Sequence, residues 1–368
     1  MVTRSVTLDL TCVKSWARAP QGWPAPGEAP RTVSDVSDTI RLVTPDPLAA
    51  LGGRRIGAHL ALGHGMVKAA DRARAIGATT VQVFSDNPTA WRRRIEPPRE
   101  LAAFRARLAG HDVAPTATHA AYLINLAGPE PDFWQRSVDV LAAELRMADL
   151  YGARFVNMHV GSHRGTGFEA GRRRLADGVA QAFEEDGVGG ADATPPILVL
   201  EDSAGGGDGM GTTIDELAAI LESLDAVGVP MSRIGICLDT AHLWGAGHEI
   251  SRPEVLDALL ADCDRRLGPQ RLAMLHLNDS KAGLGSRLDR HEHIGAGRIG
   301  EIGLRHLVTH PRLAAVPMFL ETPGMDEGYD AVNMERVRTL VAGEPLPPLP
   351  SEAFHLRGSR AAAGPVET

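Results

Sequence analysis

The stretch from Ile197 to Asp239 contains Ile197-Leu-Val-Leu-Glu201, then Thr213-Ile-Asp-Glu216, then Ile234-Gly-Ile-Cys-Leu-Asp239. The outer runs are short, apolar and rich in Ile, Leu and Val, as strands buried on both faces are. Between them, Thr213 and Glu216 have the spacing of a capping box, and an apolar run of helical period follows. A strand, a capped helix and another strand of the same kind make one unit of a parallel sheet flanked by helices.

The unit recurs in both directions. Further strands are predicted over Ile56–His59, Thr80–Phe84, Ala114–His119, Phe155–His159, Leu272–Leu277 and Met318–Glu321, with helical patterns between them such as Val138, Leu141, Leu145 and Ala148. Eight units in about 290 residues predict an α/β fold, a single (β/α)8 TIM barrel over 54–342, rather than a doubly wound sheet split into two domains. Residues 1–53 carry prolines at 20, 24, 26, 30, 45 and 47, lack periodicity and end in Gly52-Gly53. They are expected to form a poorly ordered N-terminal extension, dispensable for catalysis. A transit peptide is the alternative for this segment, on its excess of Arg4, Lys14, Arg18 and Arg31, although no basic amphipathic helix accompanies them. Residues 343–368, with Pro345, Pro347, Pro348 and Pro350 before an Ala/Gly/Arg run, are expected to be a poorly ordered, solvated tail.

What closes the strands carries the chemistry. His59, His119, His159, Glu201, Asp239, His276 and Glu321 stand at predicted strand ends, and in a parallel barrel those ends meet at one mouth. Carboxylates gathered there repel one another unless cations lie between them, which points to metal. One such histidine alone is more often a satisfied core residue, but that reading does not explain His119, His159, Glu201, Asp239, His276 and Glu321 at equivalent positions. Just beyond, Asp239-Thr-Ala-His242 opens a loop, and Asp289-Arg-His291 sets two groups at alternate positions of an extended segment, facing the same way. The full set is His119, His159, Glu201, Asp239, His242, His276, Asp289, His291 and Glu321. Imidazole and carboxylate without sulfur suit Zn, Mn or Fe, and the set exceeds what one ion can use.

Taken together, these motifs resemble a known family. Ile56-Gly57-Ala58-His59, His119-Ala-Ala-Tyr-Leu-Ile-Asn-Leu126, Asn157-Met-His-Val-Gly-Ser-His163, Glu201-Asp-Ser-Ala-Gly205, Cys237-Leu-Asp-Thr-Ala-His242, Met274-Leu-His-Leu-Asn-Asp-Ser-Lys281, Asp289-Arg-His291 and Leu320-Glu-Thr322 resemble, in order, the endonuclease IV family of apurinic/apyrimidinic endonucleases. The resemblance implies three zinc ions per chain, with Mn or Fe as substitutes. His119, His159 and Glu201 would hold one, Glu201 would bridge to a second held by Asp239, His276 and Glu321, and His242, Asp289 and His291 would hold the third. Glu201 and Glu321 are the candidate catalytic residues. The implied reaction is incision of double-stranded DNA 5′ to abasic sites, leaving a 3′-hydroxyl and a 5′-deoxyribose phosphate, together with cleaning of blocked 3′ ends, by a monomer. Tyr122 and Leu123 match positions that the family pushes into the base stack. Lys281, Arg287 and Arg290, with Arg92, Arg93, Arg94 and Arg164, are candidates for contacts to the DNA backbone. Thr89, in Asn87-Pro-Thr-Ala-Trp91, stands where many relatives carry Arg, and Ala120-Ala121 leaves the loop after His119 less polar. Both departures bear on the wedge geometry and leave the metal core intact.

Composition bounds the rest. The chain has 368 residues and 43% hydrophobic content, enough for a full core. Lys and Arg number 38 against 46 Asp and Glu, a net charge of -8, so no global positive field draws a polyanion. Three divalent ions among Glu201, Asp239, Asp289 and Glu321 would nevertheless leave the mouth at about +2. Cys12, Cys237 and Cys263 are odd in number and far apart, which argues against a disulfide framework or a thiolate zinc knuckle and favours a reducing cytoplasm. Without about 18 consecutive apolar residues or a signal-peptide core, a soluble cytoplasmic protein without a membrane partner is expected. Gly295-Ala-Gly-Arg-Ile-Gly300 has dinucleotide-loop spacing but follows no predicted strand, and Gly205-Gly-Gly-Asp-Gly-Met-Gly211 lacks a Walker lysine, so both read as loops. The competing enzyme is a metal-dependent sugar isomerase or epimerase on a similar barrel, which has no use for the cluster of His242, Asp289 and His291. A protein that binds damaged DNA without cutting it would be expected to lack a bridging ligand, and none is missing.

Overall fold

The structure, a computed structural model, describes residues 46–188 and 194–356. In chain order the elements are α1 (Pro47–Ala50), β1 (Ile56–His59), α2 (Met66–Ala75), β2 (Thr80–Phe84), α3 (Leu101–Gly110), β3 (Thr116–His119), α4 (Pro131–Tyr151), β4 (Phe155–His159), α5 (Phe168–Glu185), β5 (Ile197–Glu201), α6 (Ile214–Ala226) and β6 (Ile234–Asp239). There follow α7 (Thr240–Ala246), α8 (Pro253–Arg266), β7 (Leu272–His276), β8 (Asp279–Ser280), β9 (His291–Glu292), α9 (Gly300–Thr309), β10 (Met318–Leu320) and α10 (Tyr329–Ala342). Strands β1–β7 and β10 close into a barrel in which neighbours run parallel, with β10 between β7 and β1. This is the expected TIM barrel. No helix among the described residues is long and apolar enough to cross a membrane.

Local sequence sets the helix ends. The Thr213 hydroxyl accepts the Glu216 amide at 3.2 Å, while the Glu216 carboxylate reaches back to the Thr212 amide at 2.9 Å, one residue beyond the N-cap amide of a strict capping box. The long helix α4 stops at Gly152, whose φ of 65° is the left-handed conformation that glycine adopts without a Cβ penalty.

Strand alternation organises the barrel interior. Ala117, Phe155, Val199, Cys237, Met274 and Phe319 form an apolar cluster of their own. Each precedes a polar inward position by two residues, the side-chain period of a strand: His119, Asn157, Glu201, Asp239, His276 and Glu321 respectively. An apolar plug therefore underlies a ring of ligand-type side chains.

The structure departs from expectation at several ends. Strand β3 begins at Thr116 rather than Ala114, because Pro115 has no amide to give the ladder. β7 ends at His276, and β10 ends at Leu320 because the Glu321 amide donates to Asn278 Oδ1 at 2.9 Å instead of to a strand neighbour. The expected extension is packed at its end: Asp46 caps α1 and Leu51 is fully buried. The C-terminal segment is likewise not a solvated tail as far as Leu356. Its carbonyls at Glu344 and Pro347 accept Arg305 and Arg336, and that of Ala353 meets His293 Nε2 at 2.9 Å. Prolines bring no amide that must be satisfied, so side-chain donors on these carbonyls are enough to seat the segment. The remaining expectations for 1–45 and 357–368 lie outside the described residues.

Candidate metal centre

All nine expected ligands stand at the C-terminal mouth of the barrel, and they fall into linked groups. His119, His159 and Glu201 form one, Glu201, Asp239, His276 and Glu321 a second, and Asp239, His242 and His291 a third, with the ligand atoms of each within 4.8 Å of one another. Asp289 joins the third group, its two oxygens 2.9 Å from His291 Nε2 and 3.4 Å from His242 Nε2.

Glu201 links the first two groups by dividing its oxygens. Oε2 lies 3.6 Å from His119 Nε2 and 3.4 Å from His159 Nδ1, while Oε1 lies 2.9 Å from His276 Nδ1. Asp239 links the second group to the third. Its Oδ1 caps α7 through the Ala241 amide at 2.6 Å, leaving Oδ2 3.8 Å from His276 Nδ1 and 3.5 Å from His291 Nε2. The centre is deeply set except on one side: the His159 and Asp289 side chains are each 38% exposed, whereas His276 and Asp239 are fully buried.

Outer partners orient the imidazoles. His119 Nδ1 faces the Ala120 carbonyl at 2.8 Å, His291 Nδ1 the Glu321 carbonyl at 2.9 Å, and His276 Nε2 the Gln82 carboxamide oxygen at 3.1 Å. Each acceptor holds one ring proton and leaves the other nitrogen toward the carboxylates, the one that could ligate an ion once its own proton is displaced. His242 Nδ1, 3.5 Å from Asp202 and 3.6 Å from Glu201, and the facing pair His291 Nε2 and Asp289 Oδ1 are buried without well-formed hydrogen bonds, and a cation among them would complete their coordination. The donor set therefore fits metal ions.

Electrostatics of the bare chain agree. Burial disfavours charge on Glu201, but His159 and His276 beside it outweigh burial and hold its carboxyl well below the usual range. Burial also opposes a proton on His276, yet Glu321 and Glu201 push its pKa up to about 9. Protons on imidazoles thus balance the carboxylates where divalent ions would do so more fully.

A further group on the outside of the barrel, Asp257 with His306 and His310, has a different character. The two Nε2 atoms lie 2.6 and 3.2 Å from one Asp257 oxygen. His310 Nδ1, however, accepts the Arg312 amide at 3.1 Å, so the His310 proton sits on Nε2 and no lone pair faces an ion. The Gly295–Gly300 loop is also closed to a phosphate. Its amides at Gly297 and Ile299 already donate to Asp279, whose Oδ1 would lie 2.5 Å from any Cβ at Gly297.

Residues 70–340 match the xylose isomerase-like TIM barrel family. A probable endonuclease 4 from Methanoculleus marisnigri is 39% identical over 285 residues, 77% of this chain and 98% of that protein. The chain belongs to the endonuclease IV family. The crystal structure of endonuclease IV from Thermus thermophilus superposes with a TM-score of 0.66 at 37% identity, covering 78% of this chain and 99% of that one. A 3-keto-D-glucoside 4-epimerase from E. coli aligns at 11% identity with a TM-score of 0.54, a likeness of fold alone.

In this endonuclease IV family member the rim residues occupy distinct settings. Tyr122 is half-buried, edge-on to Phe84 with centroids 5.3 Å apart, and its amide donates to the Pro88 carbonyl, joining the loops after β2 and β3. Leu123 is half-buried beside it, and Lys281, Arg287 and Arg290 are exposed on the segment around the β8–β9 ribbon. Arg93 departs from its expected role. Its guanidinium is buried 3.2 Å from Glu144 and donates to the carbonyls of Asn87 and Ala90, so it holds the loop's shape instead of reaching for phosphate. Arg94 pairs with Asp86, and Arg164 lies over the Phe133 ring. Thr89 is tied into its own turn by Asn87 Oδ1.

Several participants are absent from the expected set. Asn157 donates to Glu201 Oε2 at 2.6 Å, Asn278 to Asp239 Oδ2 at 2.7 Å, and Gln82 to Glu321 Oε1 at 2.7 Å. His59, expected only as a strand end, lies behind Glu321 with Nδ1 3.3 Å from Oε1. The available signal was a polar amide inside a strand otherwise buried on both faces, as Gln82 and Asn157 are.

Proposed function

We propose that the chain is a deoxyribonuclease that hydrolyses the phosphodiester 5′ to an apurinic/apyrimidinic site in duplex DNA, giving a 3′-hydroxyl and a 5′-deoxyribose phosphate. We further propose that it trims blocked 3′ ends and works as a cytoplasmic monomer with three zinc ions. The observation that carries this reading is the chain of shared carboxylates: Glu201 turns one oxygen to each of two imidazole groups, and Asp239 spans the second and the third. Membership of the endonuclease IV family supports the substrate.

His119, His159 and Glu201 would hold one ion, Glu201, Asp239, His276 and Glu321 a second, and His242, Asp289 and His291 the third. Bound zinc supplies Lewis-acid activation of water and neutralises charge building on the phosphoryl and leaving oxygens. The chain's own groups do the rest. Asn157, Asn278 and Gln82 fix the carboxylates, so no reorganisation is needed at the moment of reaction. The apolar plug below excludes water and strengthens every charge interaction above it. The exposed edge at His159 and Asp289 is where a phosphate can enter, flanked by Lys281, Arg287 and Arg290 for neighbouring phosphates and by Tyr122 and Leu123 for the gap left by the missing base. A sugar isomerase or epimerase would leave His242, Asp289 and His291 without work.

The test is incision of a duplex carrying one natural abasic site by purified protein. A zinc-dependent cut leaving an extendable 3′-hydroxyl is expected. A product ending in a 3′ unsaturated aldehyde would mark lyase chemistry and overturn the reading.

A further inference from the structure

Gln82 lies in the middle of β2 with no exposed surface, and nothing apolar about a carboxamide explains its place there. Its amide nitrogen is 2.7 Å from Glu321 Oε1 and 3.0 Å from His59 Nδ1, and its oxygen is 3.1 Å from His276 Nε2. The orientation is forced. Glu321 as a carboxylate only accepts, so the NH2 must face it, which turns the carbonyl toward His276. A carbonyl only accepts as well, so His276 keeps its proton on Nε2, and Nδ1, which faces Glu201, Glu321 and Asp239, is the nitrogen that can give up its proton to an ion. The same NH2 occupies Oε1 of Glu321 and leaves Oε2, 3.3 Å from His276 Nδ1, for the ion.

We infer that Gln82 is a positioning residue of the metal centre: one carboxamide sets the tautomer of His276 and the orientation of Glu321, two ligands of the same ion. The inference rests on the metal reading of the site. Gln82 touches neither substrate nor ion, and acts through the two ligands. Losing an outer partner of this kind costs about 10–100-fold in metal affinity.

The experiment compares the full-length parent with Gln82→Met, which keeps chain length and removes both hydrogen-bonding ends. Zinc per chain and the affinity of each equivalent are measured by metal analysis and chelator competition. Alongside, long-range 15N–1H spectra of the zinc-loaded proteins report the His276 ring, assigned through a His276→Ala control. The expected result is a parent with an exchange-protected His276 Nε2 proton, and a variant in which one zinc equivalent binds about 10–100-fold more weakly, the others are unchanged, and that proton exchanges with solvent. Equal zinc affinities in parent and variant overturn the inference about Gln82 and leave the metal centre standing. A parent that takes up no zinc overturns the metal centre itself. If the variant fails to fold, the parent spectrum alone decides: a His276 proton on Nδ1, or an unprotected one on Nε2, refutes the assignment.

Discussion

His276 links the charge balance of the bare site to metal uptake. Glu321 and Glu201 outweigh its burial and raise its pKa to about 9, so the metal-free chain holds it protonated at neutral pH. A zinc ion held there as proposed would have to displace that proton. Uptake at about pH 7 is therefore expected to release protons, and affinity should fall as pH drops below about 9. Calorimetry in two buffers of different ionisation enthalpy checks this, and identical heats would contradict it. Stability of the metal-free chain runs the other way: the raised pKa contributes fully below the ordinary value of about 6.5 and is lost as pH rises through about 9. The third group gives a second expectation. Changing Asp289 and His291 to Ala removes two of its ligands and leaves the carboxylate bridge at Glu201 intact, so one zinc equivalent and about 100-fold in incision rate should be lost. A double variant that keeps three ions would count against the assignment. Of the nine candidate ligands, His119, His159, Glu201, Asp239, His276 and Glu321 were legible at predicted strand ends, His242 just after one, and Asp289 and His291 from alternate positions in an extended segment. Gln82 and Asn157 were not, since a polar residue in a buried strand announces that it is satisfied without saying by whom, and neither was Asn278, which follows β7 outside any strand.

The loops after β2 and β3 are tied to each other and to α4. The buried Arg93–Glu144 pair fastens the first loop to α4, and the Tyr122 amide ties it to the second through Pro88. Replacing Tyr122 and Leu123 together by Ala should raise the KM for abasic duplex about tenfold, the scale of a single base–aromatic stacking interaction. Zinc content should be unchanged. Undiminished duplex cutting would move the deformation role elsewhere on the rim. Most strands could be read from their apolar runs and terminal ligands, but the β8–β9 ribbon could not, because two-residue strands have no period. The burial of Arg93 was equally hidden, since an Arg-Arg-Arg run carries no mark of which member finds a carboxylate on a helix about fifty residues away.

The boundaries of the barrel are wider than its strands. Leu51 is fully buried although it precedes β1, and the segment through Leu356 packs against His293 and Arg336 although it is rich in proline. Composition distinguishes poor core formers from good ones; it does not show that a single leucine or a carbonyl row finds a seat. Deletion of 1–45 should accordingly leave the melting temperature and incision rate unchanged, whereas deletion of 1–53 removes Leu51 and should cost about 2–5 kcal/mol, the scale of a buried leucine. Equal thermal stability of the two truncations would show that the barrel closes without it. With a net charge of -8, the proposed function relies on ions at the mouth, beside Lys281, Arg287 and Arg290, to make the local sign attractive to DNA. The most direct test is therefore a titration of zinc into metal-free protein while incision of abasic duplex is followed. Full activity is expected to appear only with the third equivalent per chain. Full activity at one equivalent, or without added metal, would contradict it.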